Sequence, residues 1–142
     1  MVYRFGRFSR KAPLVVRFPM HALYFVAYSF TRLATGIDIP RSVEIGPGFM
    51  IHHFGGITIH PQSVIGANCT IRQGVTLGSK SDGGGVPCLD DDVVLGAYAQ
   101  FLGRVHIGRG AIVGAMTVVL RDVPSGATVV GIPAHVTRSG GF

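Results

Sequence analysis

The feature of this sequence that most limits its fold is an apolar residue that recurs every six positions. A helix repeats near 3.6 residues and a single strand near 2, so neither accounts for a sustained period of six. Only the step of eight residues from Ile51 to Ile59 breaks the count of six, since the twelve residues from Leu77 to Leu89 correspond to two hexads. A second set of small or β-branched residues stands four positions after most members of the first. The first set is Ile39, Ile45, Ile51, Ile59, Ile65, Ile71, Leu77, Leu89, Leu95, Phe101, Ile107, Val113 and Val119, and the second is Val43, Ser63, Cys69, Val75, Val93, Ala99, Val105, Ala111 and Thr117.

A six-residue period predicts a β-helix, in which three hexads form one triangular coil and stacked coils pair as parallel strands. The large residue of each hexad points inward, and Gly or Asn permits the corners. A β-sandwich, the alternative, spaces its turns at about 8 to 12 residues and does not hold a count of six. We therefore expect an all-β fold, a single-stranded left-handed parallel β-helix of the hexapeptide-repeat type, with a short N-terminal α-helical segment.

The length of 142 residues suits one domain. Before the repeat, residues 19–34 are expected to form an apolar helix, with Pro19 in its first turn and Gly36 just past its end. A cap over the open base of the β-helix is favoured for this segment over a membrane-binding element, because solenoid ends need covers. The predicted division is 1–36 for the helical cap segment, 37–137 for the β-helix with a glycine-rich loop pushed out of its wall at 79–88, and 138–142 for the tail.

The formal charge of +6 is concentrated near the N-terminus, where six of the thirteen basic residues lie before residue 36 among aromatic residues. An anionic membrane surface or an acidic acceptor explains this mixture, whereas no nucleic-acid-binding motif is present, so nucleic acid is not an expected partner. The apolar run 14–34 is interrupted by charged residues and proline and is not expected to span a bilayer. Two cysteines, and no cleavage site after the apolar run, predict a cytoplasmic protein, with peripheral contact at the inner membrane surface as the alternative.

The candidate site is the pair His52-His53, which lies where the count of six slips. A local break in a regular wall re-aims side chains, as a bulge does in a sheet. Asp38 lies fifteen residues before His53, and with eighteen residues per coil its hexad is expected directly beneath that of His53, so its carboxylate could fix the imidazole tautomer. A positioned histidine is suited to deprotonate an alcohol. The alternative is two surface histidines on a coil corner.

Several motifs in residues 36–137 resemble the serine acetyltransferase branch of the hexapeptide acyltransferases. The resemblance implies that His53 is the catalytic base, that Asp38 supports it, and that His52, which replaces the family's aspartate, contacts the acceptor. In the family, an Arg-His pair before the loop proline holds serine's charged groups. In this chain Gly85-Val86 replaces that pair. The matching motifs are Asp38-Ile39, 45–53, 56–59, 75–78, Val123-Pro124 and 131–134.

With these departures, the sequence more closely resembles the enzymes of capsule, colanic acid and O-antigen synthesis. We therefore expect an acetyl-CoA-dependent transfer to a hydroxyl of a sugar or polysaccharide precursor, with serine as the alternative acceptor. The resemblance also implies a homotrimer, with acetyl-CoA in a groove between subunits and no metal. The positions that match the family's donor groove, or that could meet CoA phosphates, are Gly78, Ser79, Lys80, Gly96, Ala97, Gly114, Ala115 and Arg121.

Three other interpretations remain open at this point. A covalent acyl-enzyme would need Cys69 or Cys88 as nucleophile, although Cys69 stands in an inward small-residue slot. A β-helical metal enzyme would need three interface histidines, and the spacing of the histidines here does not match the known pattern. A non-catalytic scaffold is compatible with the fold, because fold does not fix function.

Overall fold

The computed structural model describes residues 2–9 and 13–138. Two helices precede fifteen short strands in this part of the chain. The elements are α1 (Val2–Ser9), α2 (Leu14–Thr35), β1 (Ile37–Asp38), β2 (Glu44–Ile45), β3 (Met50–His52), β4 (Ile57–Ile59), β5 (Val64–Ile65), β6 (Thr70–Arg72), β7 (Thr76–Gly78), β8 (Cys88–Leu89), β9 (Val94–Leu95), β10 (Gln100–Leu102), β11 (His106–Ile107), β12 (Ile112–Val113), β13 (Val118–Val119), β14 (Thr128–Val130) and β15 (His135–Arg138).

The strands form three sheets that are the three walls of a left-handed parallel β-helix of about five coils. The first sheet has the order β1-β4-β7-β10-β13, the second β11-β8-β5-β2, and the third β15-β14-β12-β9-β6-β3. All neighbours pair in parallel except β14 and β15, which pair antiparallel. We call the turn from the first to the second sheet the first corner, from the second to the third sheet the second corner, and from the third to the next coil's first sheet the third corner.

The core confirms the inward orientation predicted from the period of six. Both predicted sets fill the interior of the coils, and Ser63 and Thr117 are its buried hydroxyl-bearing members. Only Ile45 and Ile51 of the large residues are merely half-buried, because the first coil has no coil beneath it. Tyr3 of α1 packs against the core at this end, and its hydroxyl donates a hydrogen bond to the carbonyl of Val43.

The helical segment differs from the sequence expectation at its start. Helix α2 begins at Leu14, so Pro19 lies inside the helix rather than in its first turn, where it costs one backbone hydrogen bond. The predicted end is correct, since Gly36 takes the left-handed conformation at φ 65° and its N–H donates to the carbonyl of Arg32 at 2.9 Å. Neither helix in the described ranges has the length and apolarity needed to cross a membrane.

The predicted loop leaves the wall at the first corner, between β7 and β8. Its last predicted residue, Cys88, instead belongs to β8 and pairs with Val64 and His106 of the neighbouring coils. The loop therefore covers residues 79–87.

Candidate functional site

His53 and Phe54 are two extra residues at the third corner. In the next coil, His52 is the register partner of Arg72, and the N–H of Gly74 donates to the carbonyl of Gly55 at 2.8 Å. The wall therefore continues from His52 to Gly55, and the two residues between them have no counterpart above. Both are exposed, and His53 adopts a left-handed φ of 65°. The slip in the count of six thus expels the imidazole from the wall, as the sequence indicates.

Close backbone packing surrounds this corner from below and above. A Cβ on Gly36 would lie 2.9 Å from the backbone nitrogen of Gly56, so the end of helix α2 abuts the corner from beneath. In the next two coils, the ring of Tyr98 covers Gly74 so closely that a Cβ on this glycine would lie 2.1 Å from Cδ1. The corner that bears His53 is therefore held between a helix end and an aromatic ring.

Asp38 does not lie beneath the hexad of His53, contrary to the sequence expectation. Its register partner is Thr58 on the first sheet, because the two extra residues lengthen this coil beyond eighteen. The Tyr28 hydroxyl donates a hydrogen bond to one Asp38 oxygen, and the other lies 3.5 Å from Nε of Arg32. No hydrogen bond joins Asp38 to His53 among the described residues. The carboxylate is thus anchored by helix α2, and its support of His53 remains a prediction.

Near the site, the group with the most strongly shifted pKa is the hydroxyl of Tyr28. Burial, followed by the hydrogen bond to Asp38 and its negative charge, raises the pKa of Tyr28 well above the usual range. The phenol therefore stays protonated and remains a hydrogen-bond donor at physiological pH. Sequence reasoning missed Tyr28 and Arg32, since nothing in the spacing of a helix reveals how it is rotated against a strand.

His52 projects from the exposed edge of the third sheet at the same corner, opposite Arg72 in the adjoining coil. This arrangement places two polar side chains beside the expelled histidine. Contact of His52 with the acceptor stays a prediction.

The residues predicted to bind the donor fall on two corners. Gly96, Ala97, Gly114 and Ala115 lie at the third corner, on the coils above His53, where the N–H of Met116 donates to the carbonyl of Ala97 at 2.8 Å. Gly78, Ser79, Lys80 and Arg121 lie at the first corner, across the first sheet. Within a single chain, the two groups of residues are therefore separated by the width of the first sheet.

Two of these glycines also have a packing role. A Cβ on Gly96 would lie 2.5 Å from the backbone nitrogen of Ala115, and one on Gly114 would lie 2.7 Å from Cγ1 of Val130. The corner stacking alone therefore requires glycine at both positions, whatever they bind.

The first corner carries a cavity of about 640 Å³ that is lined by Val86, Arg104, His106 and Asp122, among others. Arg104 packs against the loop so closely that a Cβ on Gly85 would lie 2.3 Å from its own Cβ. Arg104 as a whole is exposed. Sequence reasoning missed Arg104, because its approach to Gly85 depends on how the loop folds back over the neighbouring coil.

The cysteines are poorly suited to act as nucleophiles. Cys69 is fully buried, its thiol donates to the carbonyl of Asp90 at 3.1 Å, and burial raises its pKa. Burial also raises the pKa of the half-buried Cys88 thiol. Since the thiolate is the reactive form, both shifts disfavour a covalent acyl-enzyme.

In the described part of the chain, no cluster of three or more His, Cys, Asp or Glu side chains could hold a metal ion.

Comparison with known proteins agrees with the fold. The family model described as bacterial transferase hexapeptide (six repeats) matches residues 89–121. A serine acetyltransferase of Synechococcus elongatus is 41% identical over 136 residues, which cover 94% of this chain and 52% of that protein. Soybean serine acetyltransferase complexed with serine superposes with a TM-score of 0.79 and 36% identity over 96% of this chain and 56% of its own. A serine acetyltransferase in complex with CoA gives 0.79 and 32% over 96% and 54%.

The repeat, the five-coil β-helix and these similarities identify the fold class as the hexapeptide-repeat β-helix. Within that class its relatives are serine acetyltransferases, of whose length it spans about half. The expectation of a polysaccharide-branch enzyme that acetylates a sugar is wrong. That expectation gave more weight to the changes at His52 and at Gly85-Val86 than to the similarity to serine acetyltransferases, which covers nearly the whole chain.

Proposed function

We propose that this chain transfers the acetyl group of acetyl-CoA to the hydroxyl of L-serine. The observation that carries the proposal is the expelled His53 within a chain that is 41% identical to a serine acetyltransferase over 94% of its length. The proposal also draws on the relatives that were solved with serine and with CoA.

In this proposal His53 acts as the general base. Its neutral imidazole accepts the proton of the serine hydroxyl as the oxygen attacks the thioester carbonyl, and it returns that proton to the departing CoA sulfur. Such assistance contributes about 10² to 10⁴ in rate. Direct transfer fits the raised pKa values of both thiols, which oppose an acyl-cysteine intermediate.

Arg104 supplies the cation that the loop has lost. Where the family carries an arginine in the loop, this chain has Gly85, and Arg104 of the neighbouring coil packs its Cβ and Cγ against that glycine. A guanidinium group binds a carboxylate with paired hydrogen bonds, so it suits the carboxylate of serine. Because the first and third corners lie on opposite edges of one sheet, the loop of one subunit is proposed to approach His53 of the next.

The proposal is tested by incubating the protein with acetyl-CoA and L-serine and identifying the product by mass spectrometry. We expect O-acetylserine and one CoA per product molecule. L-Alanine, which lacks only the hydroxyl oxygen, is the matched control and should release no CoA above the rate without acceptor. Absence of acetylserine at saturating acetyl-CoA would reject the proposal.

A further inference from the structure

Helix α2 presents its apolar side to solvent. Its more polar side, with Tyr24 and Tyr28, faces α1 and the first coil. The opposite side carries Leu33 at 88% exposure and Phe18 at 84%. The other large apolar residues exposed on this helix are Val16, Leu23, Phe25, Val26 and Phe30.

These residues form one continuous surface along the helix, which we call the α2 apolar face. Leu23, Val26, Phe30 and Leu33 follow each other at spacings of three, four and three, which keeps them on one side of a helix. Phe18 and Phe25 widen that stripe around the helix. Exposed apolar patches of this extent mark sites of contact with a membrane or another macromolecule.

The distribution of charge along the chain indicates what binds the α2 apolar face. The first 37 residues contain six basic residues and no acidic one, whereas the remaining seven basic and seven acidic residues of the chain cancel. The whole net charge of +6 therefore belongs to the helical segment. A second copy docked on the same face would oppose two such segments of like charge, whereas an anionic lipid surface complements them.

We propose that the α2 apolar face lies in the surface of an anionic phospholipid membrane, with the helix parallel to the bilayer. The phenylalanines enter the boundary between headgroups and acyl chains, where amphipathic helices bury their apolar side. Arg32 is exposed at the edge of the apolar face, within reach of lipid phosphates, whereas Arg17 lies on the polar side with Tyr24 and Tyr28. This inference is independent of the proposed acetyl transfer.

The test is flotation of the full chain with vesicles of phosphatidylcholine alone or mixed with phosphatidylglycerol. We expect binding to the mixed vesicles, weakened by high salt because salt screens the arginine–phosphate attraction. The triple substitution Phe25→Ser, Phe30→Ser, Leu33→Ser should lower binding roughly tenfold or more, since it removes three apolar side chains from the lipid. The double substitution Ile132→Ser, Val136→Ser removes exposed apolar side chains far from α2 and should leave binding unchanged.

Light scattering without vesicles, together with circular dichroism, separates the alternatives. We expect the triple variant to keep the mass and the helical signal of the unaltered protein. A fall in mass would assign the face to contact between copies and overturn the proposal. Failure of the unaltered protein to float with anionic vesicles, or equal flotation of the folded triple variant, would overturn it as well.

Discussion

Tyr28 ties the helical segment to the first strand through a single hydrogen bond to Asp38. A bond to a charged, half-buried carboxylate stabilises a fold more than a bond between neutral groups. The same contact leaves the carboxylate close to the corner that bears His53 without bonding to it. Asp38 is therefore held by the helix and is available for a second interaction through its remaining lone pairs.

Replacing Tyr28 with Phe removes this bond while keeping the ring that stacks on Tyr24. We expect the free energy of unfolding at neutral pH to fall by about 1–2 kcal/mol. Because the folded-state pKa of Tyr28 is raised, its contribution is complete below the ordinary tyrosine pKa near 10 and is lost as pH rises through the folded value. Urea denaturation at neutral pH and at about pH 11 should therefore show the gap between the two proteins narrowing. A gap that widened at high pH would contradict this account.

His52 is the residue whose role is hardest to separate from that of its neighbour. It remains in β3, whereas His53 is outside the wall, so only His53 has the freedom to swing toward a substrate. We expect His52→Ala to raise the KM for L-serine more than it lowers kcat, as measured by steady-state CoA release. A loss confined to kcat would assign His52 to the chemical step instead.

At the scale of elements, the loop 79–87 and the coil above it form one unit through Arg104. Substitution of Arg104 by Ala should raise the KM for L-serine about ten- to a hundredfold, the range for losing a charged hydrogen bond, and leave kcat nearly unchanged. Arg121→Ala is the matched control at the same corner, and we expect it to raise the KM for acetyl-CoA instead. If the Arg104→Ala variant kept an unaltered KM for L-serine, Arg104 would not be the residue that replaces the family's loop arginine.

The sequence predicts the walls of this molecule better than its ends. Each hexad carries its own orientation, so the inward residues and the expulsion of His53 follow from counting alone. The stacking of Asp38 was mispredicted because the count assumed eighteen residues per coil and the two extra residues at His53 lengthen the coil. The start of α2 and the partners of Asp38 depend on how a helix docks against a strand, and no period encodes that contact.

At the scale of the whole molecule, the two groups of predicted donor-binding residues lie on opposite edges of the first sheet. A groove that uses both groups needs a second chain, and the resemblance to the hexapeptide acyltransferases implies that the assembly is a homotrimer. Light scattering in solution should give about three times the chain mass of 15.0 kDa. A monomer that is fully active would contradict the shared site, and a hexamer would contradict the trimer.

We propose that His53 performs the chemistry because the coil expels it, and that it contributes little to stability. The most direct test is serine-dependent CoA release by His53→Ala, measured beside its thermal unfolding. His135→Ala is the control, since it removes an exposed histidine at the far end of the β-helix. We predict a loss of about 10² or more in kcat for His53→Ala alone, with an unchanged unfolding temperature in both variants. Full activity of His53→Ala, or loss of activity that parallels loss of folding, would contradict the claim.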